Sequence, residues 1–157
     1  MPVRIRPLSL HDFAAAIVEP WNDADLKRAI LHDLPRRFHA LDPERQATVL
    51  AERPKLTDTR WDALLAAMVE HLAELHGHGI PEWVDEPERF LAVTWLVSDI
   101  PSIQRNARAY CPAAFIRHGA LPDPRDLDHR GGERHAWSPE PRGHRGTLPR
   151  VVRETPG

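Results

Sequence analysis

Ten histidines and 23 carboxylates in a chain of 157 residues raise metal and acid-base chemistry before any other. The histidines that gather most closely are His71, His76 and His78, at the end of the stretch DTRWDALLAAMVEHLAELH (58–76). A helical pair of metal ligands sits four residues apart, whereas His71 and His76 are five apart and point to different sides. They are expected as solvated histidines near a helix C-terminus, where they oppose the negative end of the dipole. Glu70 and Glu74 fall four apart and are expected as an exposed like-charged pair, with no Glu-x-x-His partner set of a di-iron bundle beside them. Serines occur at 9, 98, 102 and 138, none in a nucleophile elbow, and the GHG at 77–79 stops a helix instead of opening a phosphate loop. Cys111, the lone cysteine, has no histidine marked as its base and reads as a small hydrophobe. On these grounds the chain is expected to be non-enzymatic, with no catalytic residue, cofactor or metal.

Helical periodicity dominates the elements that would position these groups. SLHDFAAAIVE (9–19) opens with Ser9 as N-cap and Asp12 three residues later, carries Leu10, Phe13, Ala14, Ile17 and Val18 on one face, and ends at Pro20. A second helix starts at Asn22 or Asp23, uses Leu26, Ala29, Ile30 and Leu34, and is expected to stop before Pro35. Asp42-Pro43-Glu44 begins a third, a capping residue followed by proline where a missing N–H costs nothing. The clearest is the long helix over 58–76. Trp61, Leu64, Leu65, Met68, Leu72 and Leu75 line one face, and Gly77 stands where a left-handed residue closes a C-terminus. Shorter helices follow at Pro87-Glu88-Arg89, bearing Phe90 and Leu91 toward Trp61 and Leu65; after Ser98 or Asp99 with Pro101 in the first turn; and over Pro112–Gly119. Asp123-Pro124 opens a last turn, and LAVTWLV (91–97) is the one β-like run.

The fold class is therefore all-α: a compact bundle of about six to seven short helices around one long helix, with a disordered C-terminal tail. Three parts are expected: an N-terminal helical segment over 1–56 packing on the core, a helical core domain over 57–129, and an Arg/Pro/Gly-rich tail over 130–157. The tail holds five Gly and four Pro, with six Arg against three Glu, too few apolar residues to offset about 1–2 kcal/mol of backbone entropy per ordered residue. Trp137 and TLPRVV (147–152) are the places in it that a partner could grip. A net charge of −2 gives no general attraction to nucleic acid or anionic membrane. No apolar run approaches the ~18 residues of a membrane span, and Asp12 and Glu19 break the pattern of a signal peptide, so a cytoplasmic location is expected. Arginine outnumbers lysine by 19 to two, a usage that resembles proteins of high-GC bacteria.

Over 59–128, the text RWDALLAA, then PEWV and PERFL followed by Trp95, then CPAAFIRHGAL with a closing acidic-leucine element, resembles the C-terminal domain of bacterial helix-turn-helix or Xre-like regulators. That resemblance implies an antitoxin-like role, in which the helical domain binds and masks a nucleotidyltransferase-like toxin as its partner protein. Trp83, Arg89 and Trp95 lie in the block that carries the resemblance and, with Trp137, are the expected partner-binding residues, because Trp and Arg most often dominate interfaces. Trp61 and Phe90 are assigned to the core. The alternative is a DNA-binding transcriptional regulator acting alone or as a dimer. Residues 1–56 hold nine Lys or Arg against eight Asp or Glu, and ERQATVLAER offers only Arg45, Gln46, Thr48 and Arg53 for reading bases.

Overall fold

The computed structural model describes residues 6–19 and 21–127, and the backbone alone at 129–130 and 133–134. The disordered tail expected over 130–157 lies almost wholly outside the described residues, as does Trp137. Among the described residues seven α-helices follow one another: α1 (Leu10–Val18), α2 (Asp23–Arg28), α3 (Leu34–His39), α4 (Pro43–Ala51), α5 (Trp61–Leu75), α6 (Pro101–Tyr110) and α7 (Ala113–His118). Among the described residues no helix is long and apolar enough to cross a membrane. A parallel two-residue ladder joins β1 (Trp95–Leu96) to β2 (Ala120–Leu121), so the β-like run at 91–97 does pair, but briefly. At the start of the segment expected as tail, β3 (His129–Arg130) pairs antiparallel with β4 (Glu133–Arg134) and β3 lies against α3.

The helix starts follow local chemistry. Ser9 Oγ accepts the His11 N–H, Asn22 Oδ1 the Asp25 N–H and Asp42 Oδ1 the Arg45 N–H, each satisfying a donor the helix leaves open. The acidic partner at the first cap is not Asp12, which pairs with Arg6. It is Glu52, forty residues on, which takes the Leu10 N–H at 2.7 Å and the Ser9 hydroxyl at 3.1 Å and so ties α1 to the end of α4. The helix from Asp23 does not stop before Pro35. It continues through a π turn, Ala29–Asp33, in which the Leu34 N–H bonds the Ala29 carbonyl five residues back, and then into α3. Proline in an α-helix collides with the carbonyl four residues earlier. Widening the turn removes that collision and lets Pro35 sit inside the run.

The centre of the molecule is α5. Every residue from Trp61 to Ala73 is buried, so this helix is covered on all sides and not on one face. Its start is held by Asp62, whose carboxylate takes the N–H groups of Thr57 and Asp58 and the Thr57 hydroxyl. Asp58 stands at φ 62°, and the helix begins at Trp61, three residues later than its sequence start signal. α1, α3 and α7, the ladder strand β2 and the segment 81–91 close around it. The cap expected of Ser98 or Asp99 falls to Ile100, with the Ser98 hydroxyl accepting the Ile100 N–H one step earlier.

Two glycines close helices at positive φ, Gly77 at 74° and Gly119 at 79°. A Cβ at Gly77 would meet open space, whereas at Gly119 it would stand 3.0 Å from the Leu91 carbonyl oxygen. Gly77→Ala is thus expected to cost about 1 kcal/mol of left-handed strain. Gly119→Ala adds a backbone collision and should cost about 1–3 kcal/mol. Urea unfolding of the two variants side by side checks the order, and equal losses would contradict it.

Candidate functional site

Glu70, expected at the surface, is buried at the middle of α5 and is the acceptor for a charged cluster. Arg117 on α7 grips it in fork geometry, Nε to Oε2 at 3.0 Å and Nη2 to Oε1 at 2.8 Å, and extends to Asp85 at 2.8 Å. Those hydrogen bonds, Glu70 first and Asp85 second, raise the Arg117 pKa further above its ordinary value. His118, fully buried, places Nε2 2.9 Å from Glu70 Oε1 and Nδ1 2.7 Å from the Arg89 carbonyl. Both ring nitrogens thus face oxygen atoms of neighbouring elements. Phe90, half-buried, stacks on the His118 ring at 4.3 Å and 14° and has the Arg117 guanidinium 5.2 Å from its ring centre. The cluster locks α5, α7 and 81–91 together. It presents Arg117 and Asp85 to solvent.

The expected solvated histidines are packed as well. His71 is buried against Phe115, His76 Nε2 lies 2.7 Å from His39 Nδ1, and His78 Nε2 lies 2.9 Å from the Gln46 amide oxygen. Neighbours contributed by α3, α4 and α7 cover the end of α5, which the helix alone does not reveal. Among the described residues, no three His, Cys, Asp or Glu side chains converge as a metal site.

Of the residues expected to meet a partner, Trp83, Arg89 and Trp95 all lie inside the fold. Trp83 donates its indole N–H to the Leu50 carbonyl at 3.0 Å and carries the Arg89 guanidinium over its ring. Arg89 is fully buried, bonding Glu86 through Nε and the Pro54 carbonyl through Nη2, while Nη1 has no hydrogen-bond partner among the described residues. The ring face beneath it takes up part of the positive charge. Trp95 meets Trp61 edge to face at 5.0 Å and has Arg60 over its outer face at 4.1 Å. Trp83, Arg89 and Trp95 hold 81–97 onto α4 and α5, and their side chains are buried. Of the polar set expected to read DNA, Gln46 is buried against the Phe38 and Leu41 carbonyls, Thr48 bonds the Glu44 carbonyl and Arg53 pairs with Glu86, while Arg45 stays exposed, 3.9 Å from Asp42.

Glu86 shows how the same region responds to acid. Burial works to raise its pKa, yet hydrogen bonds from Arg53 and Arg89 and their positive charges prevail and hold it below the ordinary 4.5. A depressed folded pKa means stability that is present above 4.5 and lost as pH falls through the folded value. Glu86→Gln is accordingly expected to flatten the loss of stability below pH 4.5. Urea midpoints measured from neutral pH down to about pH 3 read this, and an unchanged slope would exclude Glu86 as a contributor.

One surface feature among the described residues that can receive another molecule lies on the α2 face. Ala24, Lys27, Arg28, Leu31 and His32 recur at helical spacing along α2 and the π turn, and face Val97, Ser98 and Ile103 across an open groove of about 360 Å³. Asp123 and Asp126 close one end. Leu31 and Val97 form a buried floor, and Ile100, more than half exposed, stands in the opposite wall's segment. π turns often mark functional positions, and here the turn supplies Leu31 and His32 to the groove. None of the groove residues was expected to bind a partner, since its main walls come from segments some seventy residues apart. Comparison with protein-family models, curated proteins and solved structures returned no match.

Proposed function

We propose that this chain is a non-enzymatic protein-interaction module of the antitoxin type, acting in the bacterial cytoplasm, whose partner is a nucleotidyltransferase-like toxin that it binds and masks. The observation that carries the binding role is the groove between the α2 face and Val97–Ile103, an open recess with an apolar floor and charged rims. At about 360 Å³ it falls at the small end of the ~300–1,000 Å³ typical of ligand sites, a size suited to a short segment of another protein. The antitoxin reading and the identity of the partner rest on the resemblance of 59–128 to the C-terminal domain of Xre-like regulators. The buried network around Glu70 supports the same reading in a different way, by keeping the scaffold behind the groove rigid.

Co-expression of the full chain with a nucleotidyltransferase-like protein encoded beside it tests this. The expected result is restored growth of the host and a complex that co-elutes on size exclusion. Persisting toxicity with separate elution would end the antitoxin reading.

A further inference from the structure

The charges along the groove do not cancel. Asp123 is held by Arg125, whose N–H, Nε and Nη2 all bond its carboxylate at 3.0–3.2 Å, and Asp126 lies 3.6 Å from His32 Nε2. Those hydrogen bonds raise the Arg125 pKa, the mark of a carboxylate already engaged. Lys27 and Arg28, in the last turn of α2, have no ion-pair or hydrogen-bond partner among the described residues. With Arg125 set against Asp123, Lys27 and Arg28 outnumber Asp126 by one charge, so the balance in the groove is positive where it borders the apolar floor of Leu31 and Val97.

Resting on the interaction-module reading above, we propose that the groove docks an acidic segment of the partner protein, an apolar side chain entering between Leu31 and Val97 with flanking carboxylates on Lys27 and Arg28. Two cations one helical turn from the apolar floor favour this combination. An uncharged segment leaves both cations unpaired beside it, and a basic one repels them. Arginine can take a carboxylate in two parallel hydrogen bonds, while lysine supplies a more mobile point charge. The floor gives the apolar residue its selectivity, because a purely acidic chain has nothing to place there.

The probe is a fluorescein-labelled peptide with one leucine between pairs of glutamates, titrated against the full-length protein by anisotropy, with amide NMR shifts to locate it. Binding that weakens as salt rises, shifts confined to 24–32 and 97–103, and at least tenfold weaker binding by the folded Lys27→Glu/Arg28→Glu variant are expected. The milder Lys27→Gln/Arg28→Gln variant should fall between. Equal binding of the variants, equal binding of a peptide with lysine for glutamate, displacement by duplex DNA, or no binding at millimolar peptide would each overturn the proposal. The two readings separate cleanly. A peptide seated in the groove with the nucleotidyltransferase-like protein left unmasked refutes the antitoxin role alone, and masking that survives Lys27→Glu/Arg28→Glu refutes the groove alone.

Discussion

Glu70→Ala is expected to destabilise the protein by about 3–5 kcal/mol, the range for removing one member of a buried charged set. The carboxylate is nearly inaccessible and accepts from Arg117 twice and from His118 once. Without it, the fully buried His118 ring loses the acceptor on Nε2, and Arg117 loses its fork. Glu70→Gln should cost less. Its amide oxygen can still accept from Arg117, and its NH₂ can face the His118 ring, whose Nδ1 keeps its contact with the Arg89 carbonyl. Urea unfolding at neutral pH gives the comparison. A loss for Glu70→Ala within 1 kcal/mol, or a larger loss for Gln than for Ala, would show that the cluster does not hold α5 to α7.

Arg89→Ala should be comparably severe, about 3–5 kcal/mol, for the complementary reason. Its guanidinium is fully buried and joins Glu86 to the Pro54 carbonyl while lying on Trp83. Arg89→Lys is expected to recover less than half of the loss, since one ammonium cannot reach Glu86 and Pro54 from the positions that Nε and Nη2 occupy. Neither substitution touches the groove, so a folded Arg89→Lys protein should bind its partner with unaltered affinity. Calorimetric melting paired with a binding titration reads both quantities. Loss of binding at full stability would return Arg89 to the contact surface.

What the sequence discloses is local. Caps at Ser9, Asn22 and Asp42, prolines at the starts of α4 and α6, and glycines 77 and 119 each act on the few residues beside them, so their effects are visible in a linear reading. Periodicity located α5 but suggested one apolar face, because Glu70 and His71 are polar. Their burial depends on partners from α7, more than forty residues away in sequence. Pro35 was a stop signal that a π turn absorbed, a choice set by the packing of Ile30, Leu31 and Leu34 in the core. The stretch PEWVDEPERFLAVTW carries interface-rich residue types, yet those types serve equally to anchor a loop on a helix. Only their partners, Leu50, Pro54 and Trp61, distinguish the two uses. The groove was invisible for the converse reason, being made of ordinary residues brought together by the fold.

Hydrogen exchange on the complex of this chain with the nucleotidyltransferase-like partner is the most direct measurement. Slowed exchange over 24–32 and 97–103, with Trp83 to Trp95 unchanged between free and bound protein, is the predicted result. Protection centred on 83–95 with the groove unaffected, or no complex to measure, would contradict it.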